Sequence, residues 1–286
     1  MKDGSGFIGI FDSGVGGLSV WREVVCQLPY ASTLYLADQA HVPYGSRSLK
    51  EVRDFAEGIT RFLLAQGAKI IVIASNTTSA AALYPLRNLF PDVPFVGMEP
   101  AIKPAIERTR TGVVGVIATS ATFQGELFAN LVRRYTNGVS VVSQACPGLV
   151  EAVEMGALDS PETAALLERY LSPMIEAEVD QLVLGCTHYP FLRPIIDQWM
   201  GPGAEVIDPA PSVARQVAHI LAKAGRKATS DLALSRNRNF GDRHIFYTSG
   251  DTAAFAKMIK RLLSPLTDVS LNVRPVAWQA GLELIS

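Results

Sequence analysis

Only three cysteines occur in 286 residues: Cys26, Cys146 and Cys186. A set this odd, sparse and widely spaced makes no disulfide framework, and free thiols suit a reducing compartment, so a cytoplasmic location is expected. Charge of one sign is lacking too, since 26 basic residues against 27 acidic ones leave a net charge of −1. That gives no electrostatic case for nucleic acid or for an anionic membrane, and leaves a small molecule in a local pocket as the expected partner. No apolar run reaches the ~18 residues of a membrane span. The polar start, Met1 to Gly6, lacks the basic and apolar regions of a signal peptide. The four histidines, His41, His188, His219 and His244, are scattered, and Cys26 and Cys146 stand at no ligand-like spacing from Cys186. No metal site is expected. Cys26, in an amphipathic stretch, and Cys146, before Pro147, read as structural.

What is present is apolar and ordered. Hydrophobic residues make up 48 % of the chain, and its length suits two domains better than one. Short Val/Ile-rich runs at 7–11, 33–37, 70–74, 93–97, 113–118, 139–142, 181–185 and 205–207 read as parallel strands buried on both faces. Amphipathic stretches at 48–66, 121–135 and 160–177 read as helices between them. Such alternation predicts parallel sheets with right-handed crossovers, and ligands at the C-terminal ends of the strands. The polar, Arg/Asn-rich segment 228–241 reads as an exposed loop.

An internal repeat sharpens this. GFIGIFDS at residues 6–13 resembles GVVGVIAT at 112–119, and IVIASNT at 71–77 resembles LVLGCTH at 182–188. The offsets, Gly6 to Gly112 and Ile71 to Leu182, are 106 and 111 residues. The expected fold is therefore α/β: two similar doubly wound, mostly parallel-sheet domains related by pseudo-twofold symmetry. Their predicted extents are 1–98 plus 209–286 and 99–208, with the active site in the cleft between them. Symmetry would set Ser75 and Cys186 on opposite walls.

Four segments put polar residues directly after buried strands. In the first, Asp12, Ser13 and the glycines to Gly17 suit an ammonium contact at Asp12 and backbone N–H groups around a carboxylate, or a plain strand-to-helix turn. No Gly-Lys-Ser/Thr follows, so it is not a phosphate-binding P-loop. In the second, Tyr44 and the Gly45 backbone suit a carboxylate, or an ordinary loop. The third runs from Ser75 through Asn76 and Thr77 to Ser79, where one or two residues would cap a helix. The fourth holds Cys186, Thr187 and His188. A thiol at a strand end that opens a helix, with a histidine two residues on, suits acid–base chemistry, or a buried structural cysteine. Glu154, taken alone, reads as a solvated helix charge.

Together these segments resemble the glutamate racemases of the cofactor-independent aspartate/glutamate racemase family. The matching stretches are IGIFDSGVGGL (8–18), PYG (43–45), ASNT (74–77), residues 115–122, Cys146-Pro147 through Glu154 to Gly156, and LGCTHYP (184–190). The resemblance implies two α/β domains, no pyridoxal phosphate or metal, a homodimer, and interconversion of L- and D-glutamate, the D form destined for peptidoglycan. It implies catalytic roles at position 75, Cys186, His188, Asp12 and Glu154. Substrate contacts are implied at Asp12, Ser13, Tyr44, Gly45, Asn76, Thr77, Thr187 and His188, with Thr119 and Thr122 as further additions.

One position departs from the pattern. Racemisation without a cofactor takes the α-proton from one face and returns one to the other, so it needs a base on each wall. The family has cysteine where this chain has Ser75. A thiol titrates near pH ~8.5, whereas an alcohol is far less acidic. Three readings of Ser75 stay open: a replaced cysteine, a natural serine with Asp12 or a water acting on that face, or a homologue that binds glutamate without racemising it. Racemisation of another acidic amino acid such as aspartate is a further alternative, and nucleotide binding at residues 12–17 a third.

Overall fold

The structure is a computed structural model that describes residues 6–124, 126–135, 138–223, 239–263, 270–280 and 282–286. Residues 228–238, the bulk of the segment read as an exposed loop, lie outside the described residues.

The first sheet takes in β1 (Phe7–Asp12), β2 (Thr33–Ala37), β3 (Ala68–Ile73) and β4 (Phe95–Val96) from the start of the chain. The second takes in β5 (Val113–Ala118), β6 (Ser140–Ala145), β7 (Gln181–Gly185) and β8 (Glu205–Ile207). The first sheet then gains β9 (His244–Thr248) and β10 (Asn272–Pro275), for the order β10-β9-β2-β1-β3-β4; the second runs β6-β5-β7-β8. Every pairing in both sheets is parallel. A small antiparallel hairpin, β11 (Ala277–Gln279) with β12 (Glu283–Ile285), ends the chain. The α/β architecture with parallel sheets is the one the run pattern called for.

The repeat is visible in the pairing. The order β2-β1-β3-β4 in one sheet matches β6-β5-β7-β8 in the other. Phe11 pairs with Ile73 in the first sheet, and the residues 106 and 111 positions on, Ile117 and Leu184, pair in the second. Asp12 and Ser75 thus stand at strand ends equivalent to those of Ala118 and Cys186.

Local chemistry sets the helices. Between β2 and β3, α2 must follow α1 (Leu18–Gln27) and covers Leu49–Ala65. It opens on a capping box, Ser48 accepting from the Glu51 N–H while the Glu51 carboxylate accepts from the Ser48 N–H. Its buried stripe, Val52, Phe55, Ile59, Phe62 and Leu63, keeps helical spacing. After β3 comes α3 (Asn76–Leu89), capped by Ser75, and after β4 comes α4 (Ile102–Arg108). The stretch expected as one helix over 121–135 is two, α5 (Ser120–Gln124) and α6 (Glu126–Tyr135). Then come α7 (Leu149–Glu154) and α8 (Pro161–Glu176), the latter with Ser160 as cap and proline in its first turn, where the missing N–H costs nothing. After β7 lies α9 (Arg193–Met200), and after β8 lies α10 (Ala210–Lys223), which packs back on α1. No helix among the described residues is long and apolar enough to cross a membrane.

Strand β9 had no sequence signal, because its apolar run is three residues between His244 and Thr248. Tertiary contacts bury those polar ends: His244 Nδ1 lies 3.0 Å from Thr33 Oγ1 on β2. Burial, with the Arg243 charge beside it, lowers the His244 pKa to about 3, so the ring is neutral there. The end of the segment read as a loop, Phe240–Arg243, is a short helix whose Phe240 ring meets Trp21 edge-on at 6.2 Å. Phe246 on β9 is fully buried and packs against Trp21 at 5.1 Å. Phe246→Ala should therefore cost ~3–5 kcal/mol of unfolding free energy. Ser48→Ala, which removes only a cap, should cost ~1 kcal/mol. Urea unfolding of the two variants checks both values.

Candidate active site

The C-terminal ends of the two sheets face one another across a narrow cleft. From the first sheet come Asp12 and Ser13 after β1, Tyr44 and Gly45 after β2, and Ser75, Asn76 and Thr77 after β3. From the second come Thr119 after β5 and Cys186, Thr187 and His188 after β7. Pro43, Val150 and Gly185 complete the lining. Of the residues singled out from the sequence, Thr122 and Glu154 stand just behind it. Thr122 Oγ1 is 3.0 Å from that of Thr119 and 3.4 Å from that of Thr77. Thr77 and Thr119 meet across the cleft at 2.9 Å, so three hydroxyls join the two sheets.

One chain of polar atoms carries the chemistry. Cys186 Sγ lies 3.7 Å from His188 Nδ1, and His188 Nε2 lies 2.7 Å from Glu154 Oε1. The His188 and Glu154 side chains are only 3 % and 11 % exposed, so the carboxylate is no solvated helix charge. Burial pulls the imidazole pKa down, but the Cys186 sulfur and the Glu154 carboxylate outweigh it and hold that pKa well above the usual value. Beside this chain, Asp12 accepts from the Ser13 N–H at 2.7 Å and from the Thr187 hydroxyl at 3.0 Å. Burial raises the Asp12 pKa, against the lowering effects of His188 and these two donors.

Two expectations change. Cys186 does not open an α-helix: a turn and a short 3-10 segment, Tyr189–Leu192, follow it, and α9 begins only at Arg193. Its electrostatic partner is therefore the His188 ring and not a helix terminus. The glycine-rich loop after β1 gives its Val15 N–H, at 2.7 Å, to the protein's own Glu154 carboxylate. A Cβ at Gly14 would overlap that carboxylate, and one at Gly16 would overlap the His188 ring. Glycine is needed there for close approach.

The opposite wall is built differently. Ser75 caps α3, its Oγ accepting from the Thr78 N–H at 3.3 Å. Next to it, both amide atoms of Asn76 are buried without a hydrogen-bond partner in the protein, which in a cleft lining marks a ligand contact. Tyr44 gives its hydroxyl proton to Asp38 at 2.6 Å. Burial and the Asp38 charge raise the Tyr44 pKa well above the usual value, so the phenol stays a donor.

The sequence analysis singles out neither Asp38 nor Gln39, although both follow directly on the buried strand β2. Asp38 is fully buried and also accepts from Ser249 Oγ and Trp278 Nε1, each at 2.7 Å. Away from the chemistry, burial first and then the Cys186 charge push the Cys146 thiol pKa up, and Cys146 Sγ donates to the Gln144 carbonyl, as suits a structural thiol. Cys26 is an exposed free thiol.

A family model described as Asp/Glu/Hydantoin racemase matches residues 16–217. The chain is 51 % identical over 267 residues to a glutamate racemase of Roseiflexus sp. (strain RS-1), covering 93 % of this chain and 95 % of that one. It is 50 % identical over 232 residues to a glutamate racemase of Pseudomonas aeruginosa, covering 81 % and 88 %. Among solved structures it is similar to a glutamate racemase isoform of Bacillus anthracis, with a TM-score of 0.81, 32 % identity and coverage of 96 % and 98 %. The Escherichia coli glutamate racemase, solved with L-glutamate and the activator UDP-MurNAc-ala, matches with a TM-score of 0.79, 28 % identity and coverage of 99 % and 100 %.

Gly16→Ala should displace the His188 ring and lower turnover at least ~100-fold, the scale of one acid–base group, with an unchanged far-ultraviolet spectrum. A second outcome concerns pH. Because the folded-state pKa of His188 is raised, its contribution to stability is complete below pH ~6.5 and is lost as pH climbs through the raised value. Thermal melting should fall more steeply with rising pH in the parent than in His188→Gln.

Proposed function

The chain belongs to the aspartate/glutamate racemase family, and we propose that its cleft holds glutamate between Cys186 and Ser75 and exchanges the α-proton on the Cys186 face. Within the family it falls with the glutamate racemases, isomerases that interconvert L- and D-glutamate without pyridoxal phosphate. D-Glutamate made this way serves peptidoglycan and so cell-wall biogenesis.

The observation that carries the proposal is the Cys186–His188–Glu154 chain, which ends in a cleft whose other wall presents Ser75. In this reading the substrate ammonium lies by Asp12, and its carboxylates lie among Ser13, Gly45, Asn76, Thr77, Thr119 and Thr187. Tyr44 lines the cleft beside Gly45, its hydroxyl held by Asp38, and Thr122 holds that lining from behind. The Cys186 sulfur takes or returns the α-proton, and His188, held by Glu154, moves the sulfur's own proton. Negative charge developing at the α-carbon is met by the Asn76 amide and by backbone N–H groups at the start of α3. On the other face Ser75 is a poor acid and a poor base, and its oxygen already caps a helix. Inversion is therefore impaired while exchange on the Cys186 face survives.

Ser75 also favours a second reading, a homologue that binds glutamate without racemising it; the complete Cys186 side opposes it. Aspartate is the alternative substrate, distinguished by the depth available to the side-chain carboxylate. The proposal extends to domains at 1–98 plus 209–286 and 99–208, supported by the sheet to which each strand belongs. It extends to a homodimer, supported by family resemblance, and to a cytoplasmic site of action, supported by three free thiols.

Circular dichroism of glutamate inversion tests the reading. Ser75→Cys should raise the racemisation rate at least ~100-fold by restoring the second acid–base group, and Cys186→Ala in that background should abolish it. No gain from Ser75→Cys, or unchanged inversion without Cys186, would contradict the assignment.

A further inference from the structure

We propose that Gln39 is a positioning residue for this path, its side-chain amide holding one oxygen of Glu154 so that the other stays on His188. The inference rests on the reading of Cys186 as the working acid–base group. Gln39 does not line the cleft. It follows β2 of the first sheet, whereas Glu154 ends α7, between two strands of the second. Their side chains meet across that boundary, Gln39 Nε2 lying 3.3 Å from Glu154 Oε2.

The orientation of the amide follows from the donors behind it. The Gly250 N–H donates to Thr248 Oγ1 at 2.9 Å, and the Thr248 hydroxyl in turn donates to Gln39 Oε1 at 2.8 Å. The Gln39 oxygen is thereby assigned, so the NH₂ group faces Glu154 as a donor to a carboxylate. Thr248 ends β9, so the support is anchored on a buried strand. A Cβ at Gly250 would sit 2.9 Å from the Gln39 Cβ, so glycine there keeps Gln39 in register. On the far side, Glu154 Oε1 accepts from the Val15 N–H and His188, each at 2.7 Å. The Gln39 contact on Oε2 is then what opposes rotation of the carboxylate about its own axis. The charged groups around His188 are Glu154, Cys186 and Asp12, and Gln39 acts on it only through Glu154.

The test runs on the full chain, with α-proton exchange of glutamate in heavy water and NMR titration of the His188 ring read in parallel. Gln39→Met keeps the length and removes the donor, Gln39→Glu replaces it with a like charge, and Gln39→Lys sets an ammonium beside Glu154. Gln39→Met should lower the exchange kcat about tenfold, equivalent to ~1.4 kcal/mol, with KM moving less than about twofold, the pattern of a lost transition-state interaction. Gln39→Glu should lower kcat further, and Gln39→Lys should shift the His188 midpoint downward. Cys186→Ala separates the two failures: if it exchanges like the parent, the reading of Cys186 falls. If it is inactive while Gln39→Met and Gln39→Glu keep the parental kcat, the role of Gln39 is overturned. Where the parent does not exchange, the kinetic comparison is made in the Ser75→Cys background. A His188 midpoint unmoved by Gln39→Lys overturns the proposal on its own.

Discussion

Burying a carboxylate is costly unless donors replace the water it loses, and the Glu154 carboxylate is nearly buried where the two sheets meet. Its replacement donors come from both halves: the Val15 N–H and the Gln39 amide from the first, the His188 ring from the second. Much of the site's form answers to this one group. Gly14 lacks a side chain because the carboxylate fills that space, and Gly16 lacks one because the ring bonded to the carboxylate does. The imidazole keeps its raised pKa against burial because the carboxylate and the Cys186 sulfur flank it. The Ser19 hydroxyl adds a further tie, reaching the Thr187 carbonyl at 3.0 Å. A bond network drawn from both sheets sets how they face each other, and so the width of the cleft.

The two halves share a strand order and a register, yet their equivalent strand ends do different work. After β3 the chain turns at once into α3, and Ser75 spends its oxygen on the first turn. After β7 the chain makes a turn and a 3-10 segment before α9, and Cys186 keeps its sulfur for His188. His188 corresponds to Thr77 under the repeat, and Thr77 is bonded to hydroxyls instead. A fold with twofold character thus holds an acid–base path on one wall and a hydroxyl-lined wall opposite.

Most strands buried on both faces were legible, because continuous Val/Ile runs have few other uses, and the repeat showed the equivalence of the two sheets. The run at 139–142 is the exception: β6 lies at the edge of its sheet, so its residues stay exposed or half-buried. The strand-end rule found Asp12, Tyr44, Ser75 and Cys186, which line one cleft, and Thr119 came only from the resemblance. It did not find β9, whose polar ends are buried only through partners such as Thr33, distant in sequence. It missed Gln39 for the same reason, since its bonds to Glu154 and Thr248 are long-range. Glu154 read alone as a surface charge; only resemblance singled it out, because a helix periodicity carries no record of what packs against its last turn. The loop glycines suited a ligand cradle or a plain strand-to-helix turn, since sequence cannot distinguish space left for a substrate from space left for the protein's own side chains.

The role of Cys186 is tested most directly by incubating the chain as it is in heavy water with L-glutamate and separately with D-glutamate, with proton NMR following loss of the α-hydrogen and circular dichroism following inversion. Exchange from one enantiomer with little inversion is the predicted result, since Cys186 serves one face and Ser75 fails the other. Equal exchange from both enantiomers with full racemisation would contradict it, as would binding of glutamate with no exchange from either.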